Sequence, residues 1–236
     1  MSEGGAGGTG SGARRRVAIL ISGRGSNMMS LVEAARAPAY PAEVVAVISN
    51  RPDAAGLAWA RTRGFQAIAI DHKAYPSRES FEAALQAALE ETGVELVALA
   101  GFMRLLTPAF TDRWSGRMIN IHPSLLPAFK GLDTHARALE AGVRITGCTV
   151  HFVAAEMDGG PIIGQAAVAV RNGDTPETLA GRVLAAEHRL YPQALAAVAS
   201  GAVAVEAGRV VVSGLPDGAG GEAGGPLIAC PSAPPA

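Results

Sequence analysis

Several residue types that mark particular protein classes are scarce in this sequence. Its 236 residues include two cysteines, Cys148 and Cys230, which cannot form the scaffold of a disulfide-rich domain. Aromatic residues make up 5% of the chain, too few for an extended base-stacking surface. The 20 Lys and Arg nearly balance the 21 Asp and Glu, so the net charge of −1 gives no strong field for a polyanion. No apolar run approaches the roughly 20 residues that span a bilayer. We therefore expect a cytoplasmic protein whose partners include neither nucleic acid nor membrane.

Apolar residues and glycine, by contrast, are plentiful. Apolar residues form 49% of the chain, and there are 29 glycines and 15 prolines. Glycine is concentrated at both ends, and proline at the C-terminal end. Segments of that composition bury too little apolar area to offset their ordering entropy. The sequence therefore predicts disordered tails at residues 1–15 and 214–236 around a single domain at 16–213.

Within this domain, short apolar runs alternate with helical patterns. Strands are predicted at 17–21, 44–49, 67–70, 96–100 and 118–121, with helices at 27–36, 54–63 and 77–91 between the first four. This rhythm is typical of a parallel sheet with helices on both faces. Later segments predict an antiparallel strand pair at 146–153 and 161–170, a long helix at 176–200 and a small hairpin at 203–212. Ser77 and Thr175 are the expected N-caps of the helices at 77–91 and 176–200. The predicted fold class is α/β, doubly wound, mostly parallel, with antiparallel additions in the C-terminal half.

Ligands of such sheets bind beyond the carboxyl ends of the strands. After the first strand, residues 22–27 read SGRGSN and open a helix. They could hold a phosphate on backbone N–H groups, or could simply form a tight turn with a helix cap. The dinucleotide pattern G-x-G-x-x-G fails because Met28 stands at its third glycine. Asn50 and Arg51, after the second strand, suit either a turn or the 2′-phosphate of NADP.

The segment after the fifth strand carries the most specific chemistry. Asn120 and His122 are two residues apart on an extended segment, so their side chains share a face. An amide donor beside an imidazole suits acyl transfer, since the amide stabilises an oxyanion and the imidazole supplies or moves a proton. A carboxylate near His122 would favour the imidazolium form. Asp158 is a candidate, although the sequence leaves open whether it reaches His122.

Two further features have competing interpretations. Residues 101–106 could line a ligand cleft or pack into the core at the start of a helix. His151 is interpreted as a hydrogen-bonded histidine beside the core. The spacing of His122, His135 and His151 matches no compact metal pattern, so no metal is expected.

In combination these motifs resemble the phosphoribosylglycinamide formyltransferase family of folate-dependent formyltransferases. The resemblance covers nearly all of residues 17–212. It rests on residues 21–27 (ISGRGSN), 99–104 (LAGFMR), 120–127 (NIHPSLLP), 147–153 (GCTVHFV), 158–161 (DGGP), 187–188 (EH) and 191–192 (YP).

The resemblance implies a reaction and a set of site residues. A formyl group would pass from the co-substrate 10-formyltetrahydrofolate to the amine of N1-(5-phosphoribosyl)glycinamide, in purine biosynthesis, by direct transfer through a tetrahedral intermediate. Catalysis is assigned to Asn120, His122 and Asp158, and Asp133, where some members carry histidine, is given no catalytic role. The substrate-binding residues are Gly25, Ser26, Asn27 and Glu187. The folate-binding residues are Arg78, Met103, Arg104, Leu105, Leu106, Asn120, Ala154, Ala155, Glu156, Met157 and Asp158.

Other functions remain alternatives at this point. A formyltetrahydrofolate hydrolase shares these motifs but adds an N-terminal regulatory domain, and a methionyl-tRNA formyltransferase adds an RNA-binding domain. We expect neither a regulatory domain nor an RNA-binding domain outside residues 16–213. An NADP-dependent reductase would use Asn50 and Arg51, whereas a sugar-phosphate binding module would not need Asn120 beside His122. The expected partners are small-molecule substrates, and the chain is a monomer or a homodimer.

Overall fold

Strands and helices alternate along the residues that this computed structural model describes, 13–212, 219–220 and 227–230. The strands are β1 (Arg15–Ile21), β2 (Ala42–Ser49), β3 (Gln66–Ala69), β4 (Leu96–Leu99), β5 (Met118–His122), β6 (Ile145–Phe152), β7 (Ile162–Ala169), β8 (Val203–Glu206), β9 (Arg209–Val212), β10 (Ala219–Gly220) and β11 (Leu227–Ala229). The α-helices are α1 (Ser26–Ala34), α2 (Ala55–Thr62), α3 (Arg78–Glu91), α4 (Pro108–Arg113), α5 (Thr134–Glu140) and α6 (Pro176–Ala199), and a short 3-10 helix covers His72–Ala74.

In the described part of the chain, nine strands form one sheet in the order β10-β11-β7-β6-β5-β4-β1-β2-β3. Strands β1 to β5 are mutually parallel, and β6, β7, β11 and β10 continue the sheet with antiparallel pairing. The order reverses direction at β1, which lies between β2 and β4. The carboxyl ends of β1 and β4 therefore form the topological switch point where α/β sheets bind ligands.

Helices cover both faces of the sheet because the central strands are apolar on both sides. Along β1, Val17 and Ile19 belong to the core cluster beneath α1, α2 and α6, while Ala18 and Leu20 belong to the cluster beneath α3 and α4. Such unbroken apolar strands are typical of parallel sheets buried on both faces. Among the described residues, no helix is both long and apolar enough to cross a membrane.

Side-chain caps determine where the two longest helices begin. Ser77 and Ser80 form a capping box at α3, and Thr175 and Thr178 form one at α6, whose first residue is Pro176. Both N-caps were predicted from the sequence. The predicted α/β fold, with a parallel first half and an antiparallel second half, is confirmed.

The structure corrects the predicted bounds of both tails. Arg15 begins β1, and the Arg14 guanidinium donates to the carbonyls of Ala35 and Ala42, so the N-terminal tail cannot extend to residue 15. At the other end, β11 pairs with β7, and Ile228 is 6% exposed within the larger core cluster. Residues 219–220 also pair, as β10. Residues 1–12, 213–218, 221–226 and 231–236 lie outside the described residues.

Candidate active site

The carboxyl end of β5 carries the two side chains that the sequence singled out. Asn120 is partly exposed and His122 is buried, with 5% of its surface accessible. They lie on one face of the strand because they are two residues apart.

His122 contacts protein acceptors through both ring nitrogens. Its Nε2 lies 3.0 Å from the carbonyl oxygen of Phe129, and its Nδ1 lies 3.4 Å from Oδ2 of Asp158. A carbonyl oxygen only accepts, so Nε2 carries a hydrogen in this arrangement. Nδ1 can then donate to the carboxylate only when the ring is doubly protonated. Asp158 therefore reaches His122, which the sequence left open, and its carboxylate lies at ion-pair distance from Nδ1.

Asp158 lies in the β6–β7 loop in a left-handed backbone conformation, with φ of 51°. Its Oδ2 also accepts a hydrogen bond of 2.8 Å from the backbone N–H of Gly131. The loop passes so close to the end of β6 that a Cβ atom at Gly160 would lie 1.8 Å from the carbonyl oxygen of Phe152. This close return holds the carboxylate beside His122.

Asn120 is oriented by His151, its cross-strand neighbour in the β5–β6 register. The Asn120 Nδ2 lies 3.2 Å from Nε2 of His151, whose Nδ1 lies 2.8 Å from the carbonyl oxygen of Phe152. Nδ1 must be the donor to this carbonyl, so in the neutral ring Nε2 accepts from the Asn120 amide. Burial lowers the pKa of His151, which favours that neutral ring. Asn120 keeps a second amide hydrogen for a ligand.

Polar contacts from β6 and β7 hold the loop that follows His122. The Thr149 hydroxyl donates to the carbonyl of Ser124 at 2.7 Å and accepts from the N–H of Leu126 at 3.0 Å. Gln165 donates to the carbonyl of Leu126 and to the Thr149 hydroxyl, both at 3.0 Å. Buried backbone groups of this loop are thus satisfied, which keeps Phe129 in place beside His122.

The predicted phosphate loop caps α1 at the switch point. Gly25 is the N-cap with φ of 73°, a left-handed conformation that favours glycine. The first N–H groups of a helix have no acceptor within it, so Ser26 and Asn27 present an anion site. The structure adds that the Asn27 side chain is directed elsewhere: its Nδ2 donates to Glu187 at 2.7 Å.

Glu187 lies on α6 and is 6% exposed. Burial raises its pKa to about 7, and the hydrogen bond from Asn27 opposes this shift. One turn later, the buried Tyr191 hydroxyl donates to the carbonyl of Leu99 at 2.9 Å, which ties α6 to the end of β4. The structure therefore joins Asn27 and Glu187, which the sequence separates by 160 residues, into one buried pair beside the Gly25 loop.

Apart from Asn120 on β5, the predicted folate-binding residues lie on three separate segments. In the segment after β4, Met103 and Leu105 are 67% and 58% exposed, Arg104 is also exposed, and Leu106 packs on a core cluster. Met157 is 50% exposed in the loop that also contains Ala154, Ala155 and Glu156, and Glu156 pairs with Lys130 at 2.6 Å. Arg78 is exposed at the start of α3. Exposed methionine and leucine side chains on two sides of a polar centre suit an aromatic ligand.

His135 and Asp133 lie at the start of α5, on a different element from the three predicted catalytic residues. His135, on α5, has a buried Nδ1 with no hydrogen-bond partner, and burial lowers its pKa. Asp133 precedes α5 with φ of 55° and makes no side-chain cap. Within the described residues, no three His, Cys, Asp or Glu side chains form a group suited to a metal ion.

Comparison with known proteins places this site in a family. A model described as formyl transferase matches residues 15–195. The phosphoribosylglycinamide formyltransferase of Escherichia coli is 43% identical over 185 residues, covering 78% of this chain and 87% of that protein. The chain belongs to the phosphoribosylglycinamide formyltransferases.

Other relatives agree in sequence and in fold. The solved structure of glycinamide ribonucleotide transformylase 1 from Symbiobacterium toebii is 48% identical, with a TM-score of 0.84, and the match covers 89% of this chain and 99% of that one. The trifunctional purine biosynthetic protein adenosine-3 of Gallus gallus is 54% identical over 196 residues. This chain spans only about a fifth of that relative's length. The predicted family and fold class are thus confirmed.

Sequence reasoning missed three contributors to this candidate site. His151 is the buried, hydrogen-bonded histidine that the sequence indicates, but its contact with Asn120 was not expected. The β5–β6 register could have revealed this pairing, since it places the two residues opposite each other. The carbonyl of Phe129 and the N–H of Gly131 are backbone groups, which leave no signal in a sequence.

Proposed function

We propose that this chain transfers the formyl group of 10-formyltetrahydrofolate to the amine of N1-(5-phosphoribosyl)glycinamide. The observation that carries this proposal is that two neighbouring side chains of β5 are each held by a partner from outside the strand. His122 contacts Asp158, and Asn120 contacts His151. An oriented amide beside an ion-paired imidazole suits a reaction that develops negative charge on a formyl oxygen.

In the proposed reaction, the amine nitrogen attacks the formyl carbon and a C–N bond forms. The free N–H of Asn120 and the positive charge of His122 stabilise the oxyanion of the tetrahedral intermediate. Asp158 stabilises that positive charge. The bond from the formyl carbon to the folate nitrogen then breaks. The amine loses one proton in the reaction, and the folate nitrogen gains one. No covalent bond to the protein forms at any step.

The two substrates would approach from opposite sides of this centre. The helix N-terminus at Gly25, Ser26 and Asn27 suits the ribose phosphate, with Glu187 nearby as a contact to the same substrate. The exposed apolar residues Met103, Leu105 and Met157 suit the aromatic part of the folate.

Binding preferences complete the proposal. The reaction requires no metal, and the near-neutral net charge favours small-molecule partners over nucleic acid. We propose a cytoplasmic enzyme that acts as a monomer or a homodimer, with residues 14–212 as its catalytic domain and β11 as a structural addition.

The direct test is a spectrophotometric assay of folate deformylation with each substrate omitted in turn. We expect turnover only when both substrates are present. Turnover without the ribonucleotide would identify a formyltetrahydrofolate hydrolase instead. Absence of turnover in a folded sample that binds the ribonucleotide would favour a binding module.

Variants test the assigned roles. Removing one oxyanion donor costs roughly 10²–10³ in kcat, so Asn120→Ala and His122→Ala should each lose at least that much in samples that are still folded at the assay temperature. Asp158→Asn keeps the shape but removes the charge and should also lose activity severely. The double variant of Asn120 and His122 should lose far less than the product of the single losses, because the groups act as a unit. Asp112→Asn, an exposed substitution on α4, is the control.

A further inference from the structure

The segment between β5 and α5 contributes backbone groups to the candidate site, and one of its peptide groups is held from both ends. The N–H of Gly131 donates to Oδ2 of Asp158 at 2.8 Å. The carbonyl oxygen of the same peptide group belongs to Lys130 and accepts a hydrogen bond of 2.6 Å from Nη1 of Arg137. A peptide group is planar, so a donor that fixes its oxygen also fixes the direction of its N–H. A cation and a carboxylate therefore lie at opposite ends of one peptide group.

Arg137 reaches this peptide because of its place on α5. It lies four residues after Asp133, the N-cap of the helix. Helical side chains lean towards the helix N-terminus, so that of Arg137 lies over the residues that precede the helix. Its Nη1 is also 3.3 Å from the carbonyl oxygen of Leu132, and its guanidinium carbon is 5.7 Å from the centre of the Phe129 ring. Phe129 also carries the carbonyl oxygen that contacts Nε2 of His122, so Arg137 contacts both parts of the segment that support the site.

The backbone of this segment needs contacts that hold it in place. Phe129, Gly131 and Asp133 have φ of 54°, 81° and 55°, all in the left-handed region. That region is costly for residues other than glycine and persists only where the surroundings stabilise it. Glycine adopts either sign of φ, so the Lys130–Gly131 peptide can rotate unless its polar groups are held. In the rotated orientation the carbonyl of Lys130, instead of an N–H, would face the Asp158 carboxylate.

Contacts other than Arg137 hold this segment less directly. The Ser124 hydroxyl donates to the carbonyl of Ala128 at 2.6 Å, which fixes the beginning of the segment. The Lys130 ammonium pairs with Glu156 at 2.6 Å, but the Glu156 side chain is 72% exposed. An exposed ion pair contributes little energy. The Arg137 guanidinium contacts the peptide itself, and a cationic donor on a carbonyl oxygen also strengthens the N–H of the same peptide as a donor.

We propose that Arg137 is a positioning residue for formyl transfer. It keeps the Lys130–Gly131 peptide oriented so that the Gly131 N–H holds the Asp158 carboxylate beside His122. The inference rests on the proposed function, because it is there that Asp158 and His122 act on the formyl group. It assigns no substrate contact to Arg137.

The first test needs no substrate and measures hydrogen exchange of the Gly131 amide by NMR. The variant is Arg137→Met, which keeps an apolar stem over the Phe129 ring but has no donor. We expect exchange roughly five- to tenfold faster in this variant, the effect of losing about one hydrogen bond. Arg137→Lys keeps a cationic donor and should retain part of the protection.

Amides of the central strand β1 serve as the internal reference for this measurement. They should exchange at the wild-type rate in Arg137→Met, because the lost contact is local. Unchanged exchange at Gly131, or an equal acceleration in β1, would overturn the inference.

The second test is steady-state formyl transfer. Arg137→Met should lower kcat roughly tenfold, because even a small misplacement of a catalytic group is costly. KM for the ribonucleotide should stay at the wild-type value, and Arg137→Lys should recover part of the lost kcat. A wild-type kcat in Arg137→Met, or an effect confined to KM for the ribonucleotide, would contradict the assigned role.

Arg117→Met is the matched control. Arg117 is exposed, its Nη2 donates to the carbonyl of Arg113 at 2.8 Å, and its guanidinium carbon lies 4.7 Å from the centre of the Trp114 ring. It makes the same kinds of contact as Arg137 but precedes β5, at the opposite end of that strand from the candidate site. This variant should keep the wild-type kcat and the wild-type exchange at Gly131. Equal losses in the two variants would count against a specific role for Arg137.

The two measurements keep this inference apart from the proposed function. If the wild type transfers a formyl group and exchange at Gly131 is unchanged in Arg137→Met, only the role of Arg137 fails. If the wild type transfers none, the proposed function fails and the positioning role for formyl transfer fails with it, while faster exchange would still show that Arg137 holds the peptide at Asp158.

Discussion

Glu187 provides a test of the site that needs no substrate. Its carboxyl is buried on α6, and burial raises its pKa from 4.5 to about 7. Its neighbour Asn27 has a buried Oδ1 with no hydrogen-bond partner. A carboxylate offers that oxygen only repulsion, whereas the acid form or a glutamine amide supplies a donor. We therefore expect Glu187→Gln to stabilise the fold at alkaline pH.

The magnitude follows from the pKa difference between the folded and unfolded states. Between about pH 4.5 and pH 7 the folded protein holds a proton on Glu187 that the unfolded chain has released. The free energy of unfolding therefore falls as the pH rises through this window and is constant above it. Each pKa unit corresponds to about 1.4 kcal/mol. The ionised carboxyl thus costs the folded state about 3 kcal/mol at pH 8.

The measurement is urea denaturation of wild type and Glu187→Gln at pH 5 and pH 8. We expect the variant to gain about 2 to 3 kcal/mol relative to wild type between the two conditions. Glu140→Gln, at an exposed position on α5, should show no such gain. A difference between Glu187→Gln and wild type that is the same at both pH values would refute the reasoning.

Three further predictions concern other parts of the molecule. Asn27→Ala should raise KM for the ribonucleotide more than KM for the folate in steady-state assays, because it releases Glu187, a proposed contact to the ribonucleotide, and equal effects would remove this pair from the ribonucleotide site. His151→Leu should lower kcat roughly tenfold or more by releasing Asn120, whereas its effect should be small in the Asn120→Ala background. Ile228→Ala should lower the free energy of unfolding by about 2 to 4 kcal/mol, measured by urea denaturation, and an unchanged value would mean that β11 adds no stability.

Local signals in the sequence predicted most of the fold. The N-caps Ser77 and Thr175 and the apolar run of β1 could be predicted, because each of these features depends only on residues that are close together in the sequence. The predicted tail at 214–236 shows where this reasoning fails. The average composition of this tail obscures one short apolar run around Ile228. That run is ordered because it pairs with the edge of β7.

The site was predictable in its side chains but not in the contacts that orient them. Asn120 and His122 follow from strand alternation, and Asp158 follows from the resemblance. The link from Asn120 to His151 depends on the register of two antiparallel strands. The link from His122 to Phe129 depends on a backbone carbonyl, a group that every residue carries. Neither is encoded in a local pattern of residue types.

The pairing of β11 with β7 has a consequence for synthesis on the ribosome. Helix α6 and the β8–β9 hairpin lie between these strands in the chain, so the outer edge of β7 is complete well before its partner is made. At about 5 to 20 residues per second, this interval lasts several seconds. During that time the unpaired edge can hydrogen-bond to another nascent chain. Slow codons between α6 and Leu227 should therefore lower the soluble yield of the protein without changing a single residue of it.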